Sequence, residues 1–284
     1  MSQQAYSRAV ETARNYYNST DADNFYFHVW GGEDIHIGLY RGPDEDDIFQ
    51  AGRRTVARMA QRLATTLTPE CRVLDIGAGY AGSMRFLADT FGCRSVALNL
   101  SEVENERARE INRRQGLDPL VEVVDGSFEE LPFDDASFDV VWSQDAMLHS
   151  GDRGRVVAET ARVLRPGGEF VFTDPMQADD CPPDVLQPIL ERILLDTLGS
   201  PAFYQQACAD AGLELLEFED HSDQLPLHYA AVLRATEQRQ RELEGLRVSH
   251  DYLERMKKGL GHWVEGGRRG HLTWGIFQFR RTSA

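Results

Sequence analysis

VLDIGAGYAG, residues 73–82, sets a short apolar run directly before Gly77, Gly79 and Gly82. An apolar strand followed by G-x-G-x-x-G and a helical stretch is the pattern of a nucleotide-binding strand-turn-helix. Glycines there let the backbone approach a ligand closely and present amides at the start of a helix. The spacing alone does not choose between a nicotinamide dinucleotide and S-adenosylmethionine. Asp75 tilts the balance to the latter, because it stands at the end of the strand just before the glycines. A carboxylate opposes a pyrophosphate, but it suits the amino group and sulfonium of S-adenosylmethionine.

Outward from this loop, short apolar runs alternate with helical stretches. Strands are expected at 71–76, 94–100, 120–124, 138–143 and 168–173, with helices near 81–91, 103–115 and 152–164 between them. Further helices at 184–197 and 201–211 lead to strands near 213–219 and 273–280. The alternation predicts an α/β fold, a mostly parallel seven-stranded Rossmann-like sheet with helices on both faces. Residues 5–20 and 48–66 read as helices, with an irregular, aromatic, glycine-broken segment over 21–50 between them. A helical stretch over roughly 225–259 is too long for a turn and reads as a cap over the cleft. The expected organisation is a leading helical segment over the cofactor (1–66), a cofactor-binding core (67–220 with 271–284) and a helical lid (221–270).

Ligands of such sheets sit at strand carboxyl ends. The second strand ends at Asn99-Leu100, where an acid commonly meets the ribose; an amide still donates and accepts. After the third strand comes Asp125-Gly126-Ser127-Phe128. Ser127 and Phe128 are the candidates to meet an adenine, Phe128 by packing on the ring, and Asp125 is the fallback. The fourth strand runs into Gln144, Asp145 and, four residues on, His149, a spacing that puts both on one face of a helical turn. A histidine beside a carboxylate suits orienting an amine or accepting its proton. The cofactor set is expected to be His36, Gly38, Asp75, Gly77, Gly79, Asn99, Leu100, Ser127, Phe128 and Gln144. Tyr26, Trp30, Met176, Tyr204, His228, Tyr229, His262, Trp263 and Arg268 are the candidates for the substrate pocket. An aromatic-rich lid suits a methylated ammonium through cation–π attraction, and Arg268, Arg269 or His262 is the candidate for a substrate carboxylate.

The formal charge is −16, from 30 basic and 46 acidic residues, which argues against a nucleic-acid partner. An acidic surface serves solubility, or a salty cytoplasm. No apolar run has the length of a membrane span and the first residues are polar, so a cytoplasmic protein without membrane partner is expected. The four cysteines are scattered and read as reduced, mostly buried thiols, and the histidines show no metal-ligand spacing, so no metal is expected.

LPFDDASFDVVW (131–142) and VLRPGGEFVFTD (163–174) resemble the signatures of class I methyltransferases. The combination HVWGGEDIHIGLY (28–40), WSQDAMLHS (142–150), TDPM (173–176) and HWVEGGRRGHLTWG (262–275) resembles, over roughly 25–280, the sarcosine/dimethylglycine N-methyltransferases. That resemblance implies S-adenosylmethionine as cofactor and the making of glycine betaine, an osmolyte, from partly methylated glycines. DAMLH (145–149) is also similar to phosphoethanolamine methyltransferases, in which the Asp and His handle substrate, which implies such roles for Asp145 and His149. The leading segment is similar to tocopherol and sterol methyltransferases as well. A phosphate substrate would want several lysines at the cleft, yet Lys257 and Lys258 are the only two in the chain. A prenyl lipid would want a wide apolar lid, which the charge-rich 234–247 does not offer. A nicotinamide dehydrogenase conflicts with Asp75 and Asn99, and a non-catalytic S-adenosylmethionine-binding protein with the intact loop and Asp/His pair.

Overall fold

The computed structural model describes residues 8–42 and 47–282. The chain opens with α1 (Arg8–Tyr17) and α2 (Thr20–Phe25), followed without a break by one π-helical turn, Tyr26–Gly31. Much of the segment expected to be irregular is therefore helical. Ser19 restarts the helix by accepting the Ala22 amide, and Gly31 and Gly32, both at positive φ, end it. Next come α3 (Ile48–Arg62), β1 (Arg72–Ile76), α4 (Gly82–Phe91), β2 (Arg94–Asn99), α5 (Glu102–Gln115), β3 (Val121–Asp125) and β4 (Phe138–Gln144). A single 3₁₀ turn, Met147–His149, precedes α6 (Arg153–Val163). The second half adds β5 (Leu164–Thr173), β6 (Met176–Gln177), α7 (Gln187–Ile193), α8 (Pro201–Asp210), β7 (Leu213–Asp220), α9 (Gln224–Gln238), α10 (Gln240–Gly245), α11 (His250–Arg268), β8 (Leu272–Thr273) and β9 (Gly275–Arg281).

Seven strands form one sheet in the order β3-β2-β1-β4-β5-β9-β7. The pairings from β3 to β5 are parallel, and β9 is antiparallel to both β5 and β7. β1 is buried along all but its first residue, which is why it reads as a continuous apolar run. β5 begins earlier than expected. Its Arg165-Pro166-Gly167-Gly168 looks like a turn, but Gly167 at φ +80° lets the strand bulge and keep pairing with β4, where the register shifts.

The lid is three helices rather than one. Ser249 caps α11, which runs on through the glycine-rich segment to Arg268. Glycine there reads as a helix end, but these glycines serve close approach: a Cβ at Gly266 would strike Leu272, and one at Gly267 would strike Pro226. Side chains of the leading segment and the lid share one apolar cluster, including Phe25, Tyr26, Trp30, Tyr229, Tyr252, Leu253 and Trp263. Two further clusters cover the faces of the sheet, one around Phe138, Phe170, Phe172 and Phe277, the other around Val73, Met84, Leu87 and Trp142. No described helix is long and apolar enough to cross a membrane. Cys71, Cys93 and Cys208 are buried, Cys181 is half-buried, and all four are free thiols.

Candidate active site

Two cavities meet at the carboxyl ends of β1, β2 and β4. The narrower, about 80 Å³, is lined by Gly77, Gly79, Leu98, Asn99, Leu100, Glu104, Gly126, Ser127, Phe128, Gln144 and Ala146, and is closed by Val10, Ala13 and Tyr17 of α1. The larger, about 730 Å³, lies under the lid. Ala13, Tyr17, Ile35, Asp145 and His149 line both, so they mark the junction.

Gly77 and Gly79 turn with φ of +89° and +51°, and a Cβ on Gly77 would collide with that of Ala146. Asn99 donates to Glu104 Oε2 at 2.9 Å, and Glu104 Oε1, fully buried, has no partner. Burial pushes the Glu104 carboxyl up to about 8, against the hydrogen bond from Asn99. In the sequence Glu104 carries no such signal, because an acid in the first turn of α5 is the ordinary complement to a helix dipole. Gln144 accepts from Ser83 and, at 2.8 Å, from Trp142 Nε1, which leaves its buried Nε2 unpartnered. Asp75 lines neither cavity; it is buried beneath the loop with Oδ1 unpartnered, and burial followed by the nearby Asp34 charge raises its pKa. Asp125 faces away from the slot, accepting from Asn105 and Arg109. Unpartnered Glu104 Oε1, an acceptor, and Gln144 Nε2, a donor, beside an apolar slot with a ring platform in Phe128 fit S-adenosylmethionine.

Asp145 and His149 do not bond to each other. Asp145, held at φ +51°, accepts from the Ile37 amide at 2.6 Å, Thr173 Oγ1 at 2.8 Å and Trp274 Nε1 at 2.8 Å. Burial raises its pKa, with His36 and these hydrogen bonds pulling the other way. It is a clamp joining three distant parts of the chain. His149 Nε2 lies 2.8 Å from the Tyr17 hydroxyl. Burial, then the charges of Arg153 and Arg192, push His149 down to about 4, while burial raises Tyr17 well above its ordinary value. Phenol and imidazole are therefore both neutral and share one hydrogen bond. The partner of His149 comes from α1, far in sequence, which no i,i+4 argument finds.

The larger cavity is walled by Tyr16, Tyr17, Tyr26, Trp30, Tyr229, Tyr252 and Trp263. Tyr16 and Tyr252 hydroxyls are 2.8 Å apart, and Tyr229 stacks on Trp263 with centroids 4.9 Å apart. His36 lines this cavity rather than the slot, and His262 lines it with Nδ1 unpartnered. Besides Asp75, five expected residues lie elsewhere. Gly38 packs on α3, where a Cβ would collide with Ala51, and its amide donates to His228 Nδ1 at 3.3 Å. His228 is wholly buried behind Trp30, ring centroids 5.3 Å apart, and burial pushes it to about 3. Met176 and Tyr204 are core residues, although the Tyr204 hydroxyl donates at 2.7 Å to Asp174, which in turn accepts the Leu148 amide and so braces the His149 turn from below. Arg268 is exposed at the end of α11 and lines neither cavity. The cations of the larger cavity are instead Arg192, Arg255 and Lys258. Among the described residues no group of His, Cys, Asp and Glu is placed to hold a metal.

Sheet order, glycine loop and paired cavities define a class I methyltransferase, and residues 74–172 match the methyltransferase domain family. The chain is 61% identical to the sarcosine/dimethylglycine N-methyltransferase of Halorhodospira halochloris, over 96% of this chain and 97% of that one. It is 49% identical to the enzyme of that name from Aphanothece halophytica, over 96% and 97%. The solved structure of a candidate sarcosine dimethylglycine methyltransferase from Galdieria sulphuraria superposes with a TM-score of 0.87, at 45% identity, over 92% of this chain and 98% of that one. The chain belongs to the sarcosine/dimethylglycine N-methyltransferase family of S-adenosylmethionine-dependent enzymes.

Proposed function

We propose that the protein methylates the nitrogen of sarcosine and dimethylglycine, giving dimethylglycine and glycine betaine, in the cytoplasm and without a metal. The observation that carries this reading is the larger cavity: seven aromatic rings beside a neutral His149, at the junction with the cofactor slot, in a member of this family. S-adenosylmethionine, held by Asn99, Glu104, Gly77, Gly79, Phe128 and Gln144 with Asp75 behind the loop, supplies a methyl already activated on a sulfonium. The chain’s own part is positioning and exclusion of water. The tyrosine and tryptophan faces receive a nitrogen that becomes cationic. His149, kept neutral and fixed by Tyr17, walls the junction beside the amine without setting a positive charge against the nitrogen that becomes cationic. α1 closes the slot and so shields a bound cofactor from water. In this reading the described part of the leading segment covers the cofactor and helps wall the substrate cavity, the sheet core holds the cofactor, and the lid caps the substrate.

Incubation with S-adenosylmethionine and separate glycine, sarcosine, dimethylglycine, phosphoethanolamine or a quinol, followed by S-adenosylhomocysteine, tests the proposal. Turnover is expected with dimethylglycine, and with sarcosine. Turnover with phosphoethanolamine or a quinol only would sink it. Glu104→Ala is expected to weaken S-adenosylhomocysteine binding about tenfold or more, the value of a hydrogen bond to a charged or buried acceptor, measured by calorimetry. An unchanged affinity would remove Glu104 from the ribose site.

A further inference from the structure

Resting on the reading above, we infer that the substrate carboxylate is held by Arg192, at the end of α7, and that Gly259 on the facing turn of α11 is glycine in order to leave that guanidinium its place. An amino-acid substrate carries its carboxylate two bonds from the reacting nitrogen. Its anchor must therefore share the cavity of His149 and the aromatic wall, and Arg192 does. In a chain of net charge −16 most arginines have a carboxylate beside them. Arg192 is an exception among the described residues. The partner recorded for it is the thioether of Met256, 2.9 Å from Nη2, a weak acceptor that leaves a fork of donors unspent. Its charge reaches the ligand space, since it acts on Tyr26, His149, Tyr229 and Tyr252. Arg255 and Lys258 are exposed at the rim, whereas Arg192 is half-buried.

Gly259 is the independent observation. It lies inside a 19-residue helix, where glycine is a poor choice, and a Cβ there would overlap the Arg192 Nε, Cδ and Cζ atoms. The obstacle is the far end of a flexible side chain, so an added methyl displaces the guanidinium and leaves the helix in place. A planar fork in this position accepts a carboxylate in two parallel hydrogen bonds and sets the nitrogen at a fixed distance and angle from the junction.

The experiment compares dimethylglycine with N,N-dimethylethanolamine, which has the amine but no carboxylate. Arg192→Ala is expected to raise KM for dimethylglycine about 10- to 100-fold, the worth of hydrogen bonds to a charged group. S-adenosylhomocysteine affinity stays as in the parent, and turnover of dimethylethanolamine falls far less than that of dimethylglycine. Arg192→Lys recovers part of the loss, keeping the charge but not the fork. Gly259→Ala raises KM in the same direction and adds nothing on top of Arg192→Ala. The inference is overturned if Arg192→Ala leaves KM for dimethylglycine within twofold, or if dimethylethanolamine suffers equally. If Arg192→Ala loses S-adenosylhomocysteine binding through misfolding, Arg192→Lys and Gly259→Ala decide by the same KM criterion. A parent enzyme that turns over neither dimethylglycine nor sarcosine defeats the functional reading itself, which a failure confined to Arg192 does not.

Discussion

His149→Ala is expected to lower kcat/KM for dimethylglycine by about two to three orders of magnitude, the usual worth of a positioned acid–base or orienting side chain. S-adenosylhomocysteine affinity should stay within about threefold, because imidazole loss removes an interaction with the reacting amine rather than with the glycine loop. Tyr17→Phe should fall in the same direction. The double variant should be little worse than His149→Ala, since the two act as one unit through their hydrogen bond. Equal losses in turnover and cofactor binding would mark His149 as part of the scaffold.

The pH profile tests the same residue. Its folded pKa of about 4 lies below the free value of ~6.5, so it is neutral across the range from about 5 to 8 and contributes no limb there. So weak a base does not hold an ammonium proton, and the reacting species is the amine that has already lost it. Parent kcat/KM should therefore rise about tenfold per pH unit below the amine pKa. A flat profile would show instead that the proton stays on the enzyme through the reaction.

Asp145→Ala should be the most damaging single change to the fold around the site. It leaves the Ile37 amide, the Thr173 hydroxyl and the Trp274 indole without their acceptor in a buried place. At about 1–3 kcal/mol for each orphaned donor, the loss is roughly 3–5 kcal/mol after relaxation, a drop in Tm of about 10 °C. Activity should fall at least about a hundredfold, as misplacement of His149 by about 1 Å suffices for that. Asp145→Asn keeps the turn and one acceptor oxygen and should recover much of the stability. A Tm within about 2 °C of the parent for Asp145→Ala would refute the clamp.

What the sequence disclosed and what it hid divide along range. β1, β2 and β4 were legible because strands buried on both faces are apolar throughout, and the glycine loop because its backbone demands are local. Asn99, Phe128, Gln144, His149, Tyr26, Trp30 and Trp263 do line the cavities. Residues whose meaning depends on a distant partner were misplaced. Arg268 lies within the distinctive closing segment, yet α11 carries it past the cavity, while Arg192, in an unremarkable stretch of α7, lines it. Glycine at 259 reads as punctuation until its facing arginine is known. His228 touches both Gly38 and Trp30, so this pair belongs to the wall’s backing rather than its surface.

The Asp145 clamp also has a temporal side. During synthesis Ile37 is made well before Asp145, and Thr173 soon after it, but Trp274 follows Asp145 by 129 residues. At 5–20 residues per second, the carboxylate waits roughly 6 to 26 s for its indole. Until then the strands of the cofactor half can pair while the floor of the reaction chamber lacks one of its three struts. Competence for methyl transfer is thus a late event in the life of the nascent chain, acquired when the last strand docks.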